Sequence, residues 1–357
     1  MKKQFAILLF LLAGASILKA QDEFKPGGSG IGQVFFNYKY DLTQDVTRTS
    51  SFNLERAYLG YKYDFAKNLS GRVIFDVAYD NNTKAFSAWA KNAYMEWAVL
   101  PELKLSFGMI PLKHFDLQDK FWGYRYIMKT FTDEYGMGTT ADLGLGAELP
   151  LNDFIAFNLY AVNGEGFRGI QDNFGVHKYG ANATIKPAEG LIARLHYDVM
   201  ANKFRRNDIL TGLPTGAVLD TATISVLSAF LGYEQKDLFR IGVEYNFMNN
   251  ATNFRSPAED YKSGGISVFG TYVINPQFEI FARYDNLTRE MPLASGADLS
   301  DPFRWDNQKG SLIMGGIQYR VVKNVNLALN YRTFIYEVDS ERRPNTSGLF
   351  VNLGLFL

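Results

Sequence analysis

Apolar and mixed side chains alternate along most of this chain, and no other feature limits its possible folds as strongly. In the last segment, residues 348–357, every second position is aliphatic: Leu349, Val351, Leu353, Leu355 and Leu357. Phenylalanine, asparagine and glycine occupy the positions between them. Because successive side chains of a β-strand point to opposite faces, this repeat of two predicts strands with one apolar face and one mixed face.

Segments of this kind follow one another along the whole chain, and we predict a strand in each of sixteen. Their approximate bounds are 31–42, 52–64, 69–81, 87–99, 102–110, 139–149, 153–164, 176–186, 189–200, 220–233, 237–248, 262–274, 277–288, 309–322, 324–337 and 347–357. The connections alternate between tight turns and long polar loops. That alternation is typical of a transmembrane β-barrel, in which short turns face the periplasm and long loops face outward.

Aromatic residues favour a membrane barrel over a soluble β-sandwich, the main structural alternative. The predicted outward faces end in aromatic residues at both ends of the strands: Tyr40, Tyr79, Tyr197, Tyr245 and Tyr284 at one end, and Tyr63, Trp97, Tyr233, Tyr272 and Tyr319 at the other. Amphipathic rings concentrate at the two interfaces of a membrane. We therefore predict an all-β fold, a transmembrane antiparallel up-and-down β-barrel of about sixteen strands over residues 31–357.

The N-terminus has the pattern of a secretory signal peptide. Lys2 and Lys3 precede an apolar run over residues 5–12, small residues follow at 13–16, and Leu18-Lys19-Ala20 has the pattern of a cleavage site. We predict a signal peptide over 1–20, a periplasmic lead over 21–30 and export to the bacterial outer membrane. Without the leader the chain carries 34 basic and 37 acidic residues and no cysteine, which disfavours nucleic-acid partners, disulfides and thiolate chemistry.

The mixed faces predict which side chains line the interior. A barrel of about sixteen strands is too wide for its own side chains to fill and leaves an aqueous channel. The basic residues that we expect to line the pore are Arg72, Lys104, Arg194, Arg240, Arg283, Arg320 and Arg332. Acidic residues on the same faces nearly balance the basic ones, which predicts weak ion selectivity.

The long loop over residues 111–138 is the candidate constriction. Its charged residues include Lys113, His114, Asp116, Lys120, Arg125, Lys129, Asp133 and Glu134, and they lie among Phe115, Phe121, Trp122, Tyr124 and Tyr126. A loop folded into the barrel would pack its aromatic rings on the wall while its charges line the gap. The alternative is a loop that covers the mouth or contacts a neighbouring subunit.

Evidence for an enzyme is weak. His196 and Asp198 share one face of a predicted strand, as an acid–base pair would, but no Gly-x-Ser-x-Gly motif accompanies them. A hydrogen-bond network in the lumen explains them better, and we predict no catalytic site, metal site or cofactor. Two charges, Glu55 and Lys91, break the apolar outward face, either as subunit or lipopolysaccharide contacts or because a bulge shifts the alternation.

Several short motifs resemble the phosphate-selective porin O and P family. They are Phe107-Gly108-Met109-Ile110-Pro111-Leu112-Lys113, Ala141-Asp142-Leu143-Gly144, Tyr160, Asn163-Gly164, Asp172-Asn173, Lys178 and Pro187, and the leader resembles those of Bacteroidota. The resemblance implies a homotrimeric, sixteen-stranded porin whose third loop folds inward. Ala141 and Asn182 stand where the family often has arginine, so the resemblance does not imply phosphate selectivity here.

Together these patterns predict an outer-membrane porin for passive diffusion of small hydrophilic solutes or inorganic ions, with weak selectivity. One alternative is a substrate-specific channel for phosphate, another anion or a sugar. Another is a structural or secretion-associated barrel that its own loops plug. The expected partners are outer-membrane lipid, lipopolysaccharide and two further copies of the chain.

Overall fold

The computed structural model describes residues 24–81, 83–171, 175–201, 223–249, 262–289, 309–337 and 345–357. The predicted signal peptide lies outside these residues. Sixteen strands form one sheet: β1 (Gly27–Asp41), β2 (Ser50–Ala66), β3 (Leu69–Asp80), β4 (Ala85–Leu100), β5 (Leu103–Pro111), β6 (Ala141–Pro150), β7 (Ile155–Val162), β8 (Lys178–Ala188), β9 (Leu191–Met200), β10 (Ile224–Gln235), β11 (Phe239–Asn249), β12 (Ser263–Asn275), β13 (Phe278–Arg289), β14 (Gly310–Val322), β15 (Val325–Tyr336) and β16 (Thr346–Phe356).

Each strand pairs antiparallel with its neighbours in sequence, and the sheet closes between the first strand and the last. The closing ladder runs from Gln33 opposite Phe356 to Asp41 opposite Gly348. Closure leaves no strand edge unpaired, which the hydrocarbon core requires because no water there can satisfy backbone groups. The prediction of an antiparallel, up-and-down barrel with sixteen strands is confirmed. Among the described residues, no helix is long and apolar enough to span a membrane.

The two faces of the strands divide as the alternation predicts. Outward leucines such as Leu159, Leu231 and Leu329 are about half exposed, whereas inward Asn246 and Asp285 are fully buried. Aliphatic faces that point away from the interior rule out a sandwich, whose leucines would meet in a dry core between sheets. The surface therefore offers its apolar side chains to lipid.

Two details of the wall differ from the simplest alternation. The first strand begins at Gly27, so residues 27–30 pair with β2 and do not form part of a free lead. Glu55 and Lys91 are the extra residues of two β-bulges, one opposite Phe35 and Phe36 and one opposite Ile74 and Phe75. A bulge places one unpaired residue in a strand and shifts the faces beyond it. The bulge interpretation of these two charges is therefore confirmed.

Among the residues that the structure describes, two loops enter the barrel. The segment between β5 and β6, here called the inward loop (residues 112–140), contains two short helices, α1 (Asp116–Trp122) and α2 (Phe131–Glu134). A second loop, residues 163–171, follows β7, and its Phe167 amide donates to the Ala141 carbonyl at the root of β6. The inward loop divides the lumen and creates the site described next.

Candidate functional site

An aromatic core joins the inward loop to the barrel wall. Trp122 and Tyr124 are fully buried and pack on Phe281 of β13, with ring centroids 5.9 and 4.5 Å away. Phe121 packs on Phe230 of β10 at 5.4 Å. Such contacts stabilise by burial and by edge-to-face ring geometry. The loop aromatics that the sequence places in a constriction therefore hold the loop against one side of the wall.

Buried polar groups of the wall form hydrogen bonds with the inward loop. The Tyr124 hydroxyl donates to Glu279 at 2.7 Å, and the Tyr126 hydroxyl donates to Gln318 at 2.8 Å. Glu244 accepts from the Phe131 amide at 3.1 Å. A buried polar group is costly unless it is paired, so these bonds specify one docked position for the loop. The wall residues involved lie on β11, β13 and β14.

Four arginines of the predicted pore lining bind the loop backbone, and three of them bind its middle part. Arg283 is 3% exposed and donates to the Lys129 carbonyl, and Arg332 donates to the Ile127 carbonyl at 2.8 Å. Arg240 donates to the Trp122 carbonyl at 3.3 Å. This approach requires Gly123, where a Cβ would lie 2.8 Å from the Arg240 guanidinium and where a φ of 76° ends α1. The structure thus assigns these arginines to anchoring the loop.

The root of the inward loop is held by ion pairs. Arg194 of β9 binds the Asp116 carboxylate and also donates to the Lys113 carbonyl at 2.8 Å. The Lys113 ammonium pairs with Glu148 of β6. Arg194 lowers the pKa of Asp116 against the opposing effect of burial. Lys120 pairs with Asp116 at 3.2 Å, but its side chain is 78% exposed, so it offers an accessible positive charge to the lumen.

Arg125 is the centre of the loop's charged edge. Its guanidinium lies 2.8 Å from Asp119 and 2.7 Å from Asp133, and it donates to the Tyr58 hydroxyl of β2 at 3.3 Å. The two carboxylates raise the pKa of Arg125 well above its usual value although burial opposes this. Arg125 in turn holds the pKa of Asp133 at about 2 against its burial. For Asp119 burial prevails, and its pKa is raised. The loop meets the opposite wall at the contact between Arg125 and Tyr58.

The wall facing Arg125 carries further cations around one buried carboxylate. Asp76 of β3 is 0% exposed and accepts from Arg56 and from Arg168, each at 3.0 Å. Arg168 belongs to the 163–171 loop, so a second loop also contacts this part of the wall. Lys91, turned inward by its bulge, lies 4.3 Å from the ring centroid of Tyr58. The surroundings of the Arg125–Tyr58 contact, here called the contact region, therefore contain charges of both signs from the wall and from both loops.

The remaining predicted lining residues lie toward the turn end of the barrel. Lys104 is directly opposite Glu148 in the β5–β6 ladder, and Arg72 is opposite Tyr94 in the β3–β4 ladder. Arg320 pairs with Glu279 at 3.3 Å and is about half exposed. On the loop side of the contact region, Lys129 pairs with Glu134 at 3.6 Å. These residues are partly accessible from the lumen and are paired with, or opposite, groups of the wall or loop.

A cavity of about 550 Å³ lies between the inward loop and strands β1 and β2. Its lining combines amides, charges and rings: Phe35, Asn37, Lys39, Ser51, Asn53, Glu55, Arg56, Tyr58, Asn81, Arg125, Tyr126, Ile127, Met128, Lys129, Glu134, Arg332 and Phe350. Asn53 donates to Asn37, and Asn37 donates to Glu55, so a polar row follows the wall. The cavity is a polar compartment on one side of the contact between Arg125 and Tyr58.

His114 joins the pair that the sequence singles out as a lumen network. The His114 and His196 rings stack with centroids 3.6 Å apart, and His196 Nε2 lies 3.1 Å from Asp198. His114 Nε2 lies 2.8 Å from Ser228 Oγ of β10. Both imidazoles are 1% exposed. Sequence patterns place His196 and Asp198 together and place His114 in the constriction loop, but they contain no signal for Ser228 or for the contact between the two histidines.

Other contacts of the site also have no signal in the sequence. Tyr58, Asp76 and Arg168 meet only because strands β2 and β3 and a distant loop converge on one level of the lumen. Asp119 and Asp133 belong to the predicted constriction loop, but their shared partner Arg125 emerges only from the loop's folded path. The only sequence signal for Asp119 and Asp133 is that they are charged residues in a loop rich in aromatic residues.

Comparisons with known proteins match this chain only by structure. No family model matches the sequence, and no curated protein matches it significantly. The outer membrane channel DcaP of Acinetobacter baumannii aligns with a TM-score of 0.63 and 13% identity, over 95% of this chain and 99% of that one. Salmonella typhi OmpF, in complex with daunomycin, aligns with a TM-score of 0.63 and 14% identity, over 92% and 97% of the two chains.

An anion-selective porin from Comamonas acidovorans aligns with a TM-score of 0.61 and 10% identity, over 93% of this chain and all of that one. At these identities the likeness shows a shared fold. The resemblance to the phosphate-selective porin O and P family stays a prediction. The chain has the closed sixteen-stranded β-barrel fold of outer-membrane porins.

Proposed function

We propose that this chain is an outer-membrane porin that lets small hydrophilic solutes or inorganic ions diffuse passively through a water-filled channel. One observation carries the proposal: a loop anchored inside a closed sixteen-stranded barrel narrows the lumen and borders it with charges of both signs. A barrel of this width leaves an aqueous interior, and an inward loop sets its smallest cross-section.

We expect weak ion selectivity. Near the contact between Arg125 and Tyr58, the basic residues Arg56 and Arg125 face partners of opposite sign within 3.0 Å. Rings of one charge produce strong selectivity, whereas paired charges present smaller net fields to a passing ion. The side chains of Lys120 and Arg168 are more exposed than those of Arg56 and Arg125. We therefore expect a modest preference for anions over cations.

The partners follow from the same proposal. The outward band of aliphatic and tyrosine side chains suits outer-membrane lipid, with lipopolysaccharide at the loop end. A homotrimer is proposed because the shared fold includes a solved Vibrio cholerae outer membrane protein, OmpT, described in a trimer form. That assembly is a property of the other protein and is an expectation for this chain.

Catalysis is not part of the proposed function. Ser228, His114, His196 and Asp198 combine a hydroxyl, imidazoles and a carboxylate as the sites of hydroxyl nucleophiles do, but Ser228 and His114 are each 1% exposed. A nucleophile must reach its substrate, and the docked loop covers this one. The four residues serve the packing of the loop in our proposal.

Recording from refolded protein in planar bilayers tests the proposal. We expect stepwise conductance that grows in proportion to KCl concentration, a small reversal potential under a KCl gradient, and partial block by sugars near the size of the opening. A large reversal potential toward anions would support a substrate-specific channel instead. Saturation of the current at millimolar solute would identify which solute such a channel binds.

A plugged structural barrel is the second candidate because the aromatic core extends across the interior. Tyr126 of the inward loop lies 6.4 Å from Phe35 of β1, and Phe121 of the same loop lies 5.4 Å from Phe230 of β10, seven strands away around the barrel. Correctly folded protein that gives no conductance would favour this candidate over the porin. A variant without residues 113–138 should then conduct.

A further inference from the structure

A stacked pair of histidines lies at the root of the inward loop, and the channel function proposed above makes no use of it. His114 comes from the loop and His196 from β9, and their rings are 20° from parallel with centroids 3.6 Å apart. A Cβ at Gly138 would lie 2.6 Å from His114 Nδ1, so the returning leg of the loop touches the same ring. His114 is thus wedged between both legs of the loop and the wall.

The wall holds His196 in place through a buried polar network. Asn182 Oδ1 lies 2.8 Å from His196 Nδ1, and Asp198 lies 3.1 Å from its Nε2. The Tyr160 hydroxyl donates to the same Asp198 carboxylate at 3.0 Å. His114 adds the contact with Ser228 Oγ, so strands β7 to β10 all contribute. The network belongs to the wall, and His114 is the loop residue that docks onto it.

The charges around His114 oppose a second positive charge there. The titratable and charged groups facing it are Tyr160 from β7, Lys178 from β8, and Arg194, His196 and Asp198 from β9, with Asp142 of β6 near Lys178. Burial lowers the pKa of His114 most, and His196, Lys178 and Arg194 lower it further, while Asp198 opposes them. The net result is a pKa well below the usual value, so the docked ring is neutral.

A metal ion explains this cluster less well than a proton does. The ligand atoms of His114, His196 and Asp198 lie within 4.8 Å of one another. A metal ion prefers to lie in the plane of each coordinating ring, and stacked rings cannot both satisfy that geometry. Lys178 also raises the local positive potential, which disfavours a divalent cation.

We propose that His114 is a pH-sensitive latch: in its neutral form it holds the inward loop on strands β8–β10, and its protonation in acid releases the root of the loop. The docked loop favours the neutral ring, whereas a released loop exposes the ring to water, where its pKa is about 6.5. The released form therefore gains protons as the pH falls below about 6.5. Between pH 7.5 and pH 5, one such group raises the released fraction about 30-fold.

Thiol labelling measures release of the loop without relying on conductance. A failure of the latch proposal can therefore be distinguished from a failure of the proposed channel function. The chain has no cysteine, and Met137, beside Gly138, is 1% exposed. In folded Met137→Cys protein, we expect the rate of reaction with 4,4′-dithiodipyridine, relative to that of an exposed reference cysteine, to be about 30-fold higher at pH 5 than at pH 7.5. Rates are divided by those of Lys67→Cys, an exposed turn position, to remove the reagent's own pH dependence.

Two matched variants identify the titrating residue. In the Met137→Cys background, His114→Gln keeps a polar group near Ser228 but cannot be protonated, and we expect its labelling rate to become independent of pH. His177→Gln, which alters an exposed histidine, should keep the full acceleration. Undiminished acceleration in folded His114→Gln protein would overturn the proposal. So would the absence of acceleration in Met137→Cys itself, a result that does not depend on whether His114→Gln folds.

Discussion

Replacing Arg125 with methionine is the sharpest test of the contact region, because one guanidinium there serves two carboxylates and a tyrosine of the opposite wall. Arg125→Met keeps much of the side chain's length and removes one positive charge. Asp119 and Asp133, which are 18% and 16% exposed, lose their closest cation. Removing one partner of a largely buried ion pair costs about 3–5 kcal/mol, so the docked loop should become less stable by a cost of this order.

The lost charge also sets the size of the selectivity change. At about 6 Å in water, one unit charge contributes about 0.7 kcal/mol to the energy of a passing ion, and about 0.1 M salt reduces this by roughly half. Because K⁺ and Cl⁻ respond with opposite sign, the ratio of their permeabilities should rise by roughly threefold to tenfold. The reversal potential under a KCl gradient measures that ratio directly.

A double variant that restores the net charge distinguishes an electrostatic effect on selectivity from an effect of disordering the loop. Arg125→Met combined with Asp133→Asn restores the net charge, and we expect its reversal potential to return to the wild-type value. Without Arg125, burial raises the pKa of Asp133 above its present value of about 2 and above that of a free aspartate, so the cation preference of Arg125→Met should fade as the pH falls, beginning above about pH 4. A reversal potential identical to wild type in Arg125→Met at pH 7 would show that the contact region does not border the ion path.

Three further changes test other parts of the structure. Lys120→Glu reverses an accessible lumen charge and should shift the reversal potential toward cation selectivity without altering urea unfolding. An unchanged reversal potential would show that α1 does not border the ion path. Trp122→Ala opens a cavity in the aromatic core and should reduce the free energy of loop docking by about 3–5 kcal/mol. We expect increased current noise, and a current as quiet as that of wild type would contradict the anchoring role. Leu329→Arg, on the outward face near mid-strand, should cost about 2–4 kcal/mol of folding free energy in lipid vesicles, whereas a neutral result would contradict the assigned lipid face.

The sequence predicts the wall well because a strand's side-chain alternation is a local property of its backbone. The predicted and observed strands agree in number and, within a few residues, in their bounds. The bulges at Glu55 and Lys91 could be suspected only because charges appeared on an apolar face. Sequence patterns also indicate that the 111–138 loop is unusual, since its aromatic rings need a surface to pack on.

The interior depends on contacts that no local pattern encodes. Arg283 and Arg332 share the alternation of a pore lining, yet the docked loop covers them and makes them anchors. Arg168 reaches Asp76 from 92 positions away, and His114 meets Ser228 across 114 positions. Which charges meet water and which hold the loop depends on the path of the loop through the lumen.

By itself, then, the sequence determined a closed, antiparallel barrel with an apolar outer face, because a two-residue repeat and the need to satisfy every backbone group in lipid leave few other folds. Only the tertiary structure decided the division of the interior into anchors, ion pairs and accessible charges. The physical reason is that the burial of a wall side chain depends on which distant segment packs against it, and its chemistry changes with that burial.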